Sequence, residues 1–165
     1  MSEKKIGAGC IFTDGKLILA GLQYKQGQLM ISGIGGKRNE GETDHETAMR
    51  ETIEELFNVD NVSKDFINLL IVELPVTKIC GTYTYTIYVY SFDDLQKLLS
   101  IAQTKIKSTI YETHPLSISD LLFKREYNSQ AELPILCLVP VSQNLSFDSY
   151  FVEDIDRLLK MINQI

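Results

Sequence analysis

Apolar and polar residues alternate over positions 5–12, a strand pattern, and Asp14-Gly15 reads as a hairpin turn into a returning strand at 16–24. Gly33, Gly35 and Gly36 then crowd together and predict a glycine-punctuated loop. From 43 to 57 the period changes. Ala48, Met49, Thr52, Ile53 and Leu56 recur at helical spacing. Thr43 and Glu46 fit a capping box, in which hydroxyl and carboxylate each accept from the other residue's free backbone N–H. Residues 66–75 read as a strand. Strict alternation over 82–90 puts Tyr83, Tyr85, Ile87 and Val89 on one face and Thr82, Thr84 and Thr86 on the other. A short helix at 93–100, a strand at 105–113 and a capped helical turn at 117–123 follow. Residues 132–140 fit strand or helix, and 150–163 close the chain as an amphipathic helix. Strands with helices between and after them imply an α/β layered domain.

Composition narrows this picture. The 165 residues suffice for a single domain with its own core, expected to span 1–165, and contain no repeat or linker-like tract. No apolar run nears the roughly 20 residues that cross a bilayer. The first residues carry charges without the apolar stretch of a signal peptide, so an intracellular, cytoplasmic protein without membrane partners is expected. Cys10, Cys80 and Cys137 are odd in number and far apart, fitting buried free thiols rather than disulfides or a zinc site. The net charge of −6 argues against broad nucleic-acid binding, which needs Lys and Arg to neutralise phosphates.

Charge also locates the chemistry. Seven acids fall between Glu40 and Glu55, against only Arg50 and His45. Helical residues advance about 100° each, so Glu51, Glu54 and Glu55 share one sector, opposite the apolar stripe. Such carboxylates repel one another. A charge run is usually a solvated face. Here Arg50 stands four residues from Glu54, Glu42 lies upstream, and a glycine stretch brings backbone to the helix start. Together they suggest a metal platform: oxygen ligands suit Mg²⁺ or Mn²⁺, which can bridge acids to a polyphosphate.

Gly36, Glu42, Arg50, Glu51, Glu54 and Glu55 fall in register with G-x5-E-x7-R-E-U-x-E-E-x-G-U, where U is aliphatic. The segment therefore resembles the Nudix box. Thr52, Phe57 and Asn58 depart from it, touching helix packing and termination but no ligand candidate. Asn tolerates the left-handed conformation best after glycine, so Asn58 is expected to cap a helix one residue longer, with Val59 as apolar anchor. The Thr52 hydroxyl is expected to return to a backbone carbonyl.

The resemblance implies an α/β/α sandwich with a mixed central sheet, and a hydrolase in which water attacks phosphorus with Mg²⁺ or Mn²⁺ as cofactor. Carried over by position, Glu51 and Glu55 would be the principal ligands and Glu54 a further ligand or the general base. The Gly36 carbonyl would complete the shell, Glu42 would ligate or support, and Arg50 would hold the glutamates. In some relatives the base lies on a loop outside the box. Glu112 is the candidate here, against the plainer reading of a surface glutamate; His114 follows it. Residues 30–37 resemble the stretch before the box in enzymes acting on purine nucleoside triphosphates, where a residue matching Ser32 helps bind the base. Gln23, Tyr24, Tyr83, Tyr85, Tyr127 and Asn128 could line a base pocket, the tyrosines alternatively packing across the sheet. Lys25, Lys37 and Arg38 could contact phosphate or simply be solvated. The implied partner is a small nucleotide or a capped RNA end, the linkage a diphosphate in a nucleoside diphosphate derivative. Diphosphoinositol polyphosphates would need more cations. The alternatives are a non-catalytic nucleotide-binding module on the same fold and an acidic-faced structural domain.

Overall fold

The computed structural model describes residues 6–141 and 149–162. In chain order the elements are β1 (Gly7–Thr13), β2 (Leu17–Lys25), β3 (Gln28–Ser32), β4 (Ile34–Lys37), α1 (Asp44–Phe57), α2 (Lys64–Glu73), β5 (Lys78–Gly81), β6 (Tyr85–Ser91), α3 (Phe92–Ala102), α4 (Ile118–Phe123), β7 (Ile135–Pro140) and α5 (Ser149–Ile162). Position 5 of the first expected strand, position 163 of the last helix and the charged N-terminal residues lie outside the described residues.

Among the described residues, seven strands form one mixed sheet. β1 runs parallel to β6 along its whole length, from Gly7 opposite Tyr85 to Thr13 opposite Ser91. Its other edge is shared: β2 pairs with it at Thr13 and Ile18, and β4 pairs over Gly7–Cys10. β2 pairs instead with β7 and β3. Side-chain alternation along the strands divides the core. Ala8, Cys10, Phe12, Tyr88 and Tyr90 pack with Met49, Ile53, Leu56, Leu70, Leu98 and Leu121 on the side of α1 to α4. Ile11, Ile18, Ala20, Ile87 and Val89 pack with Phe151, Ile155 and Leu158 of α5 on the other. Burying each Val, Leu, Ile, Phe or Met side chain among these contributes about 1.5–3 kcal/mol. Helices on both faces of a mixed sheet make the expected α/β/α sandwich.

Four expectations need correction. The glycine stretch at 33–36 is mostly strand β4, and the loop lies earlier, where Gln26 and Gly27 at positive φ close the β2–β3 hairpin. Residues 66–75 are chiefly helix α2. Ser63 caps it by accepting from Phe66 N–H, and Phe66, Ile67 and Leu70 are buried at helical spacing while Leu69 and Val72 are exposed; a short apolar run does not by itself tell helix from strand. The strand expected from 82 starts at Tyr85, because the Thr82 hydroxyl accepts from Tyr85 N–H and closes a turn after β5. Residues 105–113 form no strand. Their polar groups bond the end of α1 instead: Ser108 Oγ donates to Phe57 O and Thr109 Oγ1 to Asn58 O. The open choice at 132–140 resolves as β7 over Ile135–Pro140. All three cysteines are free, but only Cys10 is fully buried; Cys80 and Cys137 are half-buried.

Candidate active site

α1 is set by its own ends. The Thr43 hydroxyl accepts from Glu46 N–H, and the Glu46 carboxylate accepts from Thr43 N–H. Asn58 adopts φ 51°, ψ 55° and its N–H reaches Glu54 O. Val59 packs on the core as the apolar anchor. Thr52 donates to Ala48 O at 2.7 Å, so a buried hydroxyl is satisfied within the helix.

Arg50, only 9% exposed, organises the acids. Nε and Nη2 donate to the two oxygens of Glu42 at 2.6 and 3.1 Å, and Nη1 donates to Glu51 at 2.7 Å and Glu54 at 2.9 Å. The remaining donor meets Lys37 O at 2.8 Å. All five guanidinium N–H groups are thereby used. Burial pulls the Arg50 pKa down, but the bonds to Glu42 and Glu51 more than reverse this and it is raised. Glu42 also accepts from Asn39 N–H and the Thr47 hydroxyl. Burial works against its charge, yet Arg50, Asn39 and Thr47 hold its pKa below the usual range. Its geometry is that of an anchor for Arg50.

Glu51, Glu54 and Glu55 are less well compensated. Burial raises all three, against the pull of Arg50 on Glu51 and Glu54. Glu55 is 5% exposed, although the helical wheel sets it apart from the apolar stripe. Among the described residues its carboxylate has one hydrogen-bond partner, the Gly35 amide at 3.0 Å. Burial, then the charge of Glu132, pushes its pKa well up.

Two glycines of β4 make room. A Cβ on Gly36 would stand 2.5 Å from the Glu51 carboxylate. Gly35 has φ 152°, and a Cβ there would collide with the Tyr85 hydroxyl and lie 2.6 Å from Gly9 Cα. Backbone direction alternates along β4. Gly35 N–H and Lys37 O both face α1, whereas Gly36 O lies against Gly7 of β1. The Gly36 carbonyl is thus turned toward β1 rather than toward α1.

Two neighbours of the acids had no signal in the sequence. Glu132, on the loop before β7, raises the pKa of both Glu51 and Glu55 by its charge. Arg125 crosses from the segment after α4: Nη1 donates to Leu56 O and the Tyr111 hydroxyl, Nη2 to Glu55 O and Leu133 O. A lone acid and a lone arginine in irregular segments carry no period or spacing to read.

Glu112 and His114 do not join the acids. They line a surface depression of about 400 Å³ with Lys105, Lys107, Ser108 and Tyr111. His114 stacks on Phe57 at 5.3 Å and bonds Leu99 O. The base-pocket candidates are partly brought together. Gln23 Nε2 donates to the buried Ser32 hydroxyl at 2.8 Å, and Tyr85 lies against Gly35. Tyr24, Tyr83 and Tyr127 are exposed, and Asn128 closes a turn by accepting from Gln130 N–H. Lys25 is half-buried, the Lys37 side chain is exposed, and Arg38 pairs with Asp44 at 3.3 Å.

Among the described residues, no three His, Cys, Asp or Glu side chains stand converged in metal-ligand geometry; Arg50 draws Glu51 and Glu54 to itself. The donor set nevertheless suits a hard cation. It is all oxygen, crowded, and includes a buried carboxylate with no ion-pair partner among the described residues.

This is the fold of the Nudix hydrolases. The chain aligns over 98% of its length with a Nudix hydrolase from M. smegmatis, RenU, at TM-score 0.52 and 16% identity, covering 88% of that chain. It aligns over the same share with a bifunctional NMN adenylyltransferase/ADP ribose pyrophosphatase from Francisella tularensis, at TM-score 0.52 and 13% identity, spanning 42% of that longer chain. That protein complexed with AMP and a Mn ion gives TM-score 0.53 at 13% identity. No protein-family model matches the sequence, and no curated protein does. Among the described residues no helix is long and apolar enough to cross a membrane.

Proposed function

We propose that this chain is a Nudix-type pyrophosphohydrolase. It hydrolyses a diphosphate linkage in a nucleoside diphosphate derivative (a nucleoside triphosphate, a dinucleoside polyphosphate or an RNA cap) with Mg²⁺ or Mn²⁺. One observation carries this reading: a buried glutamate, Glu55, feels the charges of Glu132, Glu51 and Glu54, and among the described residues its carboxylate has one hydrogen-bond partner, a backbone amide. Burying an uncompensated carboxylate costs stability, and a site that retains four acids is explained by a cation that they serve.

Glu51 and Glu55 would hold the metal, with Glu54 as further ligand or base; the Gly36 carbonyl, turned toward β1, would not join them. A bound divalent cation supplies charge neutralisation at phosphate and acidifies a water. The chain does the rest by positioning. Arg50 fixes the Glu51 and Glu54 carboxylates, and Glu42 fixes Arg50. A proton from the attacking water passes to a carboxylate oxygen of Glu54 or of Glu132, which replaces Glu112 as loop candidate. The raised pKa of Glu54 suits it to that role. The Gln23–Ser32 pair offers an amide and a hydroxyl to a base edge, and Lys25 and Lys37 are the cations for outer phosphates. The pyrophosphatase named in the Francisella neighbour supports the linkage class.

The test is release of phosphate or pyrophosphate from a panel of nucleotides, caps and dinucleoside polyphosphates with Mg²⁺ or Mn²⁺. Glu54→Gln and Glu55→Gln should each lower kcat by about 100-fold or more, Glu132→Gln by about 10-fold or more, and Glu112→Gln not at all. Ligand binding without turnover across the panel would favour a binding module. Activity that survives both Glu54→Gln and Glu55→Gln would overturn the mechanism.

A further inference from the structure

We infer that Arg125 is a positioning residue, a clamp that sets the spacing between the α1 carboxylates and Glu132. This rests on the proposed metal-assisted hydrolase. The last carbonyls of a helix have no partner within it, and the last turn of α1 holds no basic residue of its own. Arg125 supplies the missing donors. One nitrogen takes Leu56 O at 2.6 Å, the other Glu55 O at 2.9 Å. That second nitrogen also takes Leu133 O at 2.7 Å. A single planar group therefore joins the backbone of Glu55 to the backbone next to Glu132. The guanidinium lies 5.5 Å from the Tyr111 ring centroid and donates to the Tyr111 hydroxyl, which itself donates to Leu121 O. This fixes the plane of the fork. Its Nε is buried without a hydrogen-bond partner among the described residues. A group serving only as a helix cap could turn to avoid that cost; joining three segments explains why it does not.

Lysine at 125 keeps the charge but cannot reproduce the planar fork. The helix would still be neutralised at its end, while the Glu55–Leu133 spacing would relax. Partners that orient metal ligands typically change affinity or activity by about 10- to 100-fold when removed.

The experiment is a double-mutant cycle on Mn²⁺ affinity, read by the electron paramagnetic resonance of free Mn²⁺, with wild type, Arg125→Lys, Glu132→Gln and the double variant. Circular dichroism and thermal melting accompany each, and kcat and KM are measured on the best substrate. We expect Arg125→Lys to weaken Mn²⁺ binding about 10-fold and to lower kcat more than it raises KM. The double variant should bind no more weakly than the worse single one, because the clamp acts through Glu132. Multiplying effects, or a lower Tm with unchanged Mn²⁺ affinity, would overturn the clamp and leave only a helix cap. Mn²⁺ binding by wild type without turnover would sink the hydrolase reading, yet the cycle would still decide the clamp. No Mn²⁺ binding by wild type would sink both.

Discussion

Residues 36–58 and residues 105–134 meet at the end of α1, and they satisfy their polar groups in opposite ways. The first stretch is largely self-sufficient. Thr43 and Glu46 cap each other, Thr52 bonds within its own turn, and Arg50 spends its donors on Glu42, Glu51, Glu54 and Lys37. The second spends its groups elsewhere. Ser108, Thr109 and Arg125 reach the carbonyls of Glu55, Leu56, Phe57 and Asn58, about fifty to seventy positions away in the chain. The acid-bearing helix is thus built locally and finished by a distant segment.

If the first stretch is self-sufficient, its centre should be its weakest point. Arg50→Met leaves Glu42, Glu51 and Glu54 without their cation in a largely buried setting. Removing one partner of a buried ion pair costs about 3–5 kcal/mol; these acids keep some exposure, so the lower end is expected. Urea denaturation of the metal-free protein would measure it. A loss near zero would mean that the distant segment, not Arg50, holds the helix in place.

The next effect is smaller and has the opposite sign. The pKa values of Glu51, Glu54 and Glu55 are raised in the fold, so the native state binds protons more tightly than the unfolded chain. Their stabilising contribution is full below their ordinary value of 4.5 and is lost as pH rises through the raised values. Glu42, whose pKa is lowered, acts the other way: its contribution is present above its unfolded value and lost as pH falls through the folded one. Metal-free protein should therefore lose stability as pH rises from about 4.5 toward neutrality. Glu55→Gln keeps an acceptor for Gly35 N–H and removes the charge. It should flatten that slope and stabilise the metal-free fold at neutral pH by on the order of 1–2 kcal/mol, while removing the proposed hydrolysis. Thermal melts from pH 5 to 8, with and without Mn²⁺, would test this. An unchanged slope would mean that Glu55 is already compensated.

This contrast explains what could be read in advance. The α1 cap, its buried stripe, the Asn58 termination and the Thr52 bond follow from forces acting over a few residues, and these were legible. So was an α/β layered domain, since periodicity marks most of its elements, while the α/β/α order followed only from the resemblance to the Nudix box. Residues 105–113 carry β-prone Ile106, Thr109, Ile110 and Tyr111, and nothing within them reveals that Phe57 and Asn58 need donors. Glu132 and Arg125 were invisible for the same reason: their roles exist only once the chain has returned to α1. Glu55 was named as a ligand candidate, but its burial was not, because a helical wheel does not show β4 lying across that face.

Asn58 sits at the seam and carries the smallest predicted effect. Its backbone ends the local helix in a left-handed conformation, while its side-chain nitrogen donates to the Thr109 hydroxyl at 2.8 Å. Asn58→Ala should cost about 1 kcal/mol, because a Cβ without a local polar partner is poorly accommodated at φ 51°. Asn58→Gly adopts that conformation freely, loses an exposed hydrogen bond and gains unfolded-state entropy, so a near balance is expected. For a chain of this size 1 kcal/mol moves Tm by about 2–4 °C, which resolves the two variants. If glycine proves as costly as alanine, the bond to Thr109 outweighs the backbone, and the helix end belongs to the distant segment. If glycine is neutral and alanine is not, the helix stops by local conformation, and residues 105–134 are recruited to an end already made.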